Sequence, residues 1–339
     1  MPTFCRHNRF IERCPICSKT LPGNEPASGA GTRARGGSTA RRQGGTATAR
    51  RSHGEGLRVR REGREADDGY RSELVPGLRA SADAERLAAE IAFASARLGA
   101  LATDPPGAYG QAFEVAAGGD LERASWICFL LAYLMPGEGE EPFAAVERAL
   151  AAMPRLDTSA TQDLDGLLDG LAPGPRSSYG PGDGGRTLGA YAQWVARSGG
   201  EGGQRAAIAG DPAWEPERRF ARIFERLTLP GMTRAGRYEL LVVLGRLGLY
   251  ELAADSLHLA APRGGGGEDA TALAAKRVFG IGDPLLLERR AAALALEAAV
   301  PLDALDLALF NWSAAERATM GFRPAEEPDA GAVAAVLGL

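Results

Sequence analysis

Apolar positions recur along the chain from residue 81 onward with the period of amphipathic helices. Ser81 or Asp83 is expected to cap the first of these helices. Its shared apolar face carries Leu87, Ile91, Leu98 and Leu101. The run 124–135, ASWICFLLAYLM, is apolar on almost every side and predicts a buried central helix. The pattern therefore favours an all-α domain, which we place at residues 80–322.

Proline, glycine and capping residues mark where the later helices are expected to begin. The expected first residues or caps are Pro142, Thr187, Pro216, Asp283 with Pro284, and Pro301. In the last strong helix the leucines and Trp312 share one side, whereas Asp306 and Asn311 lie elsewhere. Short helices are expected within 163–171 and from Ala330.

Residues 229–256 combine a tight turn, a helix and a short break that leads to an aspartate. Pro230 presets φ, and Gly231 can take the positive φ that a hairpin turn requires. Thr233 can cap the helix that follows. Because such a turn presents backbone N–H groups at a helix N-terminus, it suits a DNA phosphate. Asp255 follows the helix among small residues.

This stretch resembles the hairpin-plus-aspartate signature of the helix-hairpin-helix DNA glycosylase superfamily. In that signature a Leu-Pro-Gly hairpin grips a phosphate, and an aspartate in a Val-Asp-Thr context follows. Here the context of Asp255 is Ala-Asp-Ser, and the spacing is slightly longer. Thr233 stands near the place of the second hairpin glycine. The alternative interpretation is an ordinary helical hairpin with a surface aspartate.

The order of motifs after the hairpin matches the C-terminal layout of these glycosylases. It runs through the Arg277-Val278 pair, a glycine-containing turn, a helix, the Val300-Pro301 pair and a leucine-rich helix. Within the superfamily, the chain most resembles the alpha-glutamyl/putrescinyl thymine pyrophosphorylases of the clade 3 type. The segments that carry this resemblance are 128–136, 191–194, 218–227, 280–291 and 305–312. The resemblance implies a reaction in DNA in which an amine displaces pyrophosphate from a phosphorylated 5-hydroxymethyluracil.

Superfamily enzymes bring the target base out of the duplex before acting on it. A nearby carboxylate can then deprotonate a nucleophile or stabilise positive charge on the leaving carbon. Asp255 is the first candidate for this catalytic role and Asp283 is the second, and for each the alternative is a helix cap. The residues expected to contact DNA or phosphate are Gly231, Thr233, Arg234, Arg289 and Arg290. For Arg289 and Arg290, a surface ion pair with Glu288 or Asp283 is the alternative.

A compact set of metal-binding side chains lies in residues 1–20, which we interpret as a zinc knuckle. The set comprises Cys5, His7, Cys14 and Cys17. Zinc takes four such ligands tetrahedrally, and a Cys-x-x-Cys pair has a standard spacing for it. Because protein would fill all four positions, the expected zinc ion is structural. The alternative is a group of free thiols beside an exposed histidine.

Charge is distributed unevenly along the chain. Residues 1–65 carry 14 Arg and Lys against 5 Asp and Glu, whereas the remaining 274 residues carry 25 against 38. Residues 21–56 predict a disordered basic linker, 57–78 a β-hairpin or extended arm, and 323–339 a weakly patterned tail. A basic arm commonly adds non-specific attraction to nucleic acid, and a merely solvated linker is the alternative.

Composition argues against several functions. Lys19 and Lys276 are the only lysines, so no amine between 229 and 256 can form the Schiff base of a strand-cleaving lyase. Only Cys128 lies outside the N-terminal set, which excludes the four-cysteine iron–sulfur cluster of some superfamily relatives. No apolar run suits a bilayer crossing and no secretory signal is evident. We therefore expect a cytoplasmic protein, associated with the nucleoid when it binds DNA.

Three functions remain open from the sequence. The first is a DNA base-modifying transferase of the pyrophosphorylase type. The second is a monofunctional DNA glycosylase that excises a modified base, and the third is a DNA-binding module without catalysis. The expected partners are double-stranded or locally opened DNA and, for the transferase, a small amine or amino acid, with no membrane. We favour an enzyme.

Overall fold

The computed structural model describes residues 65–156, 164–170, 172–260 and 269–339. Within these ranges every regular element is a helix, as expected for an all-α domain. The helices are α1 (Ser81–Thr103), α2 (Gly107–Ala117), α3 (Leu121–Leu134), α4 (Ala144–Ala152), α5 (Leu164–Leu167), α6 (Gly184–Gly199), α7 (Gly203–Ala209), α8 (Pro216–Arg226), α9 (Arg234–Arg246), α10 (Ala270–Phe279), α11 (Pro284–Glu297), α12 (Ala304–Ser313) and α13 (Gly331–Leu337). The candidate zinc ligands Cys5, His7, Cys14 and Cys17 and the linker 21–56 lie outside the described residues.

Helix α3 lies at the centre of the domain, as its apolar sequence predicts. Eleven of its 14 residues are buried, and it packs against α2, α4, α7 and α9. The Trp126 Nε1 donates a hydrogen bond of 2.7 Å to the Met153 carbonyl, which closes α4 onto α3. Cys128 is fully buried, and this burial raises the pKa of its thiol. It is a core residue, as the sequence indicated.

Stacked aromatic rings join α3 to α6. The ring centroids of Phe129 and Tyr191 lie 3.8 Å apart at an interplanar angle of 15°, and Trp126 stacks on Phe129. The Tyr191 hydroxyl also donates to the Gln204 Oε1 at 2.9 Å. Two of the segments that carry the family resemblance, 128–136 and 191–194, therefore meet in the core.

Helices α1, α9 and α12 form the other side of the core. Helix α1 packs most extensively against α12 and also contacts α9 and α13. Arg97 of α1 forms a buried ion pair with Glu239 of α9 and donates to the Tyr109 hydroxyl at 3.3 Å. Separating the two helices here would leave an uncompensated buried charge, so the pair ties α1 to α9.

The described residues differ from the sequence expectations at several helix positions. The pattern did not predict α2, α7 or α10, because these helices contain many alanines or glycines and few large apolar side chains. Helix α6 begins at Gly184, so Thr187 lies in its first turn and is not its cap. Ser81 is the first residue of α1 but bonds to Asp68, and α1 has no side-chain cap.

The described part of the expected β-hairpin arm, residues 65–78, contains turns and extended coil but no strand. Asp68 accepts a hydrogen bond of 2.9 Å from the Ser81 N–H, and the Gly77 N–H donates to the Val278 carbonyl at 2.9 Å. The segment is therefore held by α1 and α10, and it does not pair with itself. In the described ranges, no helix has both the length and the apolar character of a membrane span.

Candidate functional site

The hairpin before α9 has the predicted local geometry. Gly231 has a φ of +75°, and the Met232 N–H closes the turn on the Leu229 carbonyl at 3.2 Å. Thr233 caps α9, since its Oγ1 accepts a hydrogen bond of 3.0 Å from the Gly236 N–H. Pro230 is exposed at the apex of the turn. Gly231 and Thr233 therefore have the positive φ and the capping role that the sequence predicted.

The hairpin packs against two other segments of the chain. The Thr233 N–H donates to the Ser178 Oγ at 3.2 Å, and the two hydroxyls lie 2.7 Å apart. A Cβ atom added at Gly231 would lie 2.0 Å from the Thr187 Oγ1. The backbone and side-chain groups of Thr233 that were expected to bind phosphate are thus engaged within the protein, and Gly231 is only half-exposed.

Replacement of Gly231 by alanine is expected to destabilise the fold by about 1–3 kcal/mol. The added Cβ meets the Thr187 Oγ1, and alanine disfavours a φ of +75°. A second replacement, Thr187→Ala, removes the oxygen and should recover the part of the loss caused by the clash. Urea unfolding of both single variants and the double variant measures this coupling. Strictly additive losses would contradict the packing described here.

Arg234, the first residue of α9, points inward and joins three segments. Its Nε donates to Asp269 at 2.9 Å, one terminal nitrogen to the Leu257 carbonyl at 2.9 Å, and the other to Asp306 at 2.7 Å. Only 4% of its side chain is exposed. The structure therefore gives Arg234 an internal role. Its side chain is not placed to make the phosphate contact that the sequence predicted.

The segment that contains Asp255 runs back along α9. The Leu252 carbonyl lies against Gly245 near the end of α9, and the Leu257 carbonyl contacts Arg234 at its start. Asp255 is exposed at a bend in this segment.

Glu288 of α11 holds the end of the same segment. Its carboxylate accepts hydrogen bonds of 2.8 Å from the Leu257 N–H and 2.7 Å from the Leu259 N–H. His258, between them, has a φ of +53°, and its ring stacks on Phe224 with a centroid distance of 4.2 Å. Its Nε2 is buried and has no hydrogen-bond partner among the described residues. Glu288 therefore holds the segment that carries the His258 imidazole, three residues after Asp255.

Burial lowers the pKa of His258 to about 4, and the positive charges of Arg234 and Arg237 act in the same direction while Asp255 opposes them. The folded pKa lies below the ordinary value of 6.5, so the unfolded chain binds more protons between these values. Stability present above pH 6.5 is expected to be lost as the pH falls towards 4. NMR titration of the imidazole, assigned with His258→Phe, and urea unfolding of both proteins across this range check this. A midpoint near 6.5 would contradict it.

Asp269 is a carboxylate of this site that the sequence analysis missed. It caps α10 by accepting a hydrogen bond of 2.9 Å from the Ala272 N–H, and its other oxygen accepts from Arg234. Its side chain is 21% exposed. The sequence could have revealed Asp269 as a capping residue just before the alanine-rich run of α10. That run has high helix propensity but little apolar periodicity.

A buried charge cluster lies beneath the site. Asp306 of α12 pairs with Arg176 and with Arg234, and all three side chains are at most 4% exposed. Burial alone would raise the pKa of Asp306, but the two guanidinium groups outweigh it and hold this pKa below its usual value. The cluster joins the loop before α6, the start of α9 and the middle of α12. Asp306 and Asn311 are both buried, so their expected position away from the packed side was wrong.

The remaining predicted site residues lie on α11. Asp283 caps this helix, since it accepts a hydrogen bond of 3.0 Å from the Leu286 N–H, and it is otherwise exposed. Arg289 is exposed, and Arg290 is half-buried and donates to the Glu73 carbonyl at 3.4 Å. Because Glu288 contacts the segment after Asp255, the early turns of α11 border the candidate site.

Residues 181–323 match the model of the family described as alpha-glutamyl/putrescinyl thymine pyrophosphorylase clade 3. The matched region contains the hairpin, Arg234, both Asp255 and Asp269, and the early turns of α11. It confirms the family resemblance inferred from the sequence and connects this region in general terms with thymine modification. No curated protein matches the chain, and no solved structure matches it.

Proposed function

We propose that the protein modifies a thymine-derived base in DNA, with an amine displacing pyrophosphate from a phosphorylated 5-hydroxymethyluracil. The observation that carries this proposal is the family match over residues 181–323, because this region also forms the hairpin and its carboxylates. In the proposed step the amine nitrogen bonds to the methylene carbon attached to C5. The carbon–oxygen bond breaks, and pyrophosphate leaves with the bonding electrons. A carboxylate accepts the proton that the amine loses.

Asp255 and Asp269 are the two carboxylates that we propose act on a displaced base. Asp269 is held in one orientation by its contacts with Arg234 and with the start of α10, each 2.9 Å long. Asp255 is exposed on the neighbouring segment after α9. A fixed carboxylate needs little reorganisation as charge develops, so we assign the proton-accepting role first to Asp269. Asp283 is assigned only its capping role at the start of α11.

The exposed Arg289 and the neighbouring Arg290 supply the positive charge for a phosphate group at the edge of the site. Arginine suits this task because its planar fork donates two parallel hydrogen bonds to phosphate oxygens. At the hairpin, the half-exposed Gly231 is the remaining position for a phosphate contact. DNA, either double-stranded or locally opened, is the proposed partner, and the basic N-terminal residues add non-specific attraction to it.

Mass spectrometry of the product tests the proposed reaction. The full chain is incubated with an oligonucleotide duplex that contains one pyrophosphorylated 5-hydroxymethyluracil, with putrescine or glutamate as the amine donor. An amine adduct on the base, with release of one pyrophosphate, supports the transferase. An abasic site instead identifies a monofunctional glycosylase, the alternative that the hairpin also favours. Tight DNA binding without either product would support the third candidate, a DNA-binding module without catalysis.

We also propose a structural zinc ion held by Cys5, His7, Cys14 and Cys17. Three thiolates and one imidazole are a complete tetrahedral donor set for zinc. Purified full-length protein is expected to contain one zinc ion per chain by elemental analysis, and Cys14→Ser with Cys17→Ser should abolish this content. Cys128→Ser, in the helical domain, is the matched control that should retain it. Equal metal content in all three proteins would refute the zinc knuckle.

A further inference from the structure

A concave pocket lies between the end of α9 and the start of α12. We call it the α9–α12 pocket; its volume is about 340 Å³, which is at the small end of the range for small-molecule sites. Its apolar walls come from Phe220, Val242, Leu252, Pro301 and Leu302. All of its lining residues fall within the region that matches the family model.

The α9–α12 pocket lies beside Asp255. Ala254, the residue before Asp255, is part of its lining. Consecutive Cα atoms are only about 3.8 Å apart, so Asp255 stands at the edge of the pocket. A small molecule held here would therefore be close to a carboxylate of the proposed reaction.

The charged residues of the lining are Arg246 and Asp303. The Asp303 carboxylate accepts a hydrogen bond of 2.9 Å from the Arg246 Nε and one of 2.5 Å from a terminal nitrogen of the same guanidinium. Asp303 stands at the N-cap position of α12, yet its side chain does not cap that helix. The carboxylate instead holds the guanidinium in one orientation.

Part of the Arg246 guanidinium stays available to a ligand. A guanidinium has more N–H groups than one carboxylate can accept, and the second terminal nitrogen of Arg246 has no hydrogen-bond partner among the described residues. The Arg246 side chain is 31% exposed, whereas that of Asp303 is 9% exposed and has both oxygens engaged. The charge that a ligand meets in the pocket is therefore the guanidinium.

We propose that the α9–α12 pocket binds the amine donor and that this donor carries a carboxylate, as an amino acid does. Arg246 would bind the carboxylate of the donor through its open edge. The carbon chain would lie against the apolar walls, with the amino group at the edge near Asp255. A diamine such as putrescine would instead bring a positive charge against Arg246. This inference rests on the proposed function, because that reaction defines the donor.

Substitutions of the ion pair in the full chain test the pocket. Arg246→Gln removes the guanidinium, and Arg246→Gln with Asp303→Asn removes both charges, so that no unpaired carboxylate destabilises the fold. The matched control is Arg155→Gln with Asp120→Asn, because this pair also has two hydrogen bonds but lies outside the pocket. Thermal unfolding verifies the fold of each protein. Glutamate and putrescine are then titrated calorimetrically into each protein, with and without an unmodified DNA duplex.

We expect the unaltered protein to bind glutamate more tightly than putrescine. Both pocket variants should weaken glutamate binding about tenfold or more, with the control unchanged. The site is refuted if glutamate binds the pocket variants as tightly as it binds the control, or if the unaltered protein does not bind glutamate in either condition. Tighter binding of putrescine than of glutamate would overturn the carboxylate-bearing donor.

The product assay separates this inference from the proposed function. If an amine adduct forms but glutamate affinity does not depend on Arg246, the reaction stands and the pocket assignment fails. If glutamate binding depends on Arg246 but no amine yields an adduct, the pocket stands as an amino-acid site and the proposed reaction fails.

Discussion

Replacing Asp306 by asparagine should lower the free energy of unfolding by about 3–5 kcal/mol. The substitution keeps the size of the side chain but removes the negative charge shared by Arg176 and Arg234. Two guanidinium groups would then remain in the interior, where an uncompensated charge is costly. Two nitrogen atoms of Arg176 already have no hydrogen-bond partner among the described residues, so asparagine offers little compensation.

Urea unfolding at neutral pH measures this loss, and the exposed ion pair of Arg317 with Glu327 provides the comparison. Glu327→Ala should change stability by at most about 1 kcal/mol, because water screens an exposed pair. The depressed pKa of Asp306 adds a pH dependence. Its stabilisation is present above the unfolded pKa and is lost as the pH falls through the folded pKa. A loss below about 1 kcal/mol in Asp306→Asn would show that the cluster contributes little.

Replacing Asp269 by asparagine should reduce formation of the proposed amine adduct by about 10²–10⁴-fold. Asparagine caps a helix about as well as aspartate, so α10 should keep its start. The change removes the negative charge and the acceptor oxygen that Arg234 contacts. The loss should appear in turnover, while binding of the duplex, which depends on distant phosphate contacts, stays nearly unchanged.

Two further asparagine variants separate the candidate carboxylates. Asp283→Asn is the matched control, because Asp283 also caps a helix but is exposed on α11; it should retain activity. Asp255→Asn tests the exposed carboxylate of the segment after α9. Full activity in Asp269→Asn together with a large loss in Asp255→Asn would transfer the proton-accepting role to Asp255. The stability of each variant is measured beside its turnover.

The sequence predicted the helices that bury large apolar side chains on one face or on every face. Helix α3 was recognised as central, and α8 and α11 begin at the predicted prolines. Helices α2 and α10 were not predicted, because alanine and glycine carry little apolar contrast from which a period can be read. Missing α10 also hid its cap, Asp269. A capping residue has a visible role only once its helix is known.

Local chemistry also predicted the shape of the hairpin but not its surroundings. Gly231 takes a positive φ and Thr233 caps α9, as their residue types favour. The contacts that occupy this turn come from Ser178 and Thr187, which lie more than 40 residues earlier in the chain. No local pattern could place them there, and they decide how much of the turn is available to a ligand.

The sequence by itself determined the helical class, the glycine-dependent turn before α9 and the family to which residues 181–323 are similar. Only the tertiary structure decided which charged groups meet. Arg234 was expected at a phosphate, yet it lies inside the protein and pairs with Asp306, 72 residues away. Arg176 reaches the same carboxylate across 130 residues. Such pairs depend on how the helices pack, because charges far apart in the chain share a buried position only after the core has formed.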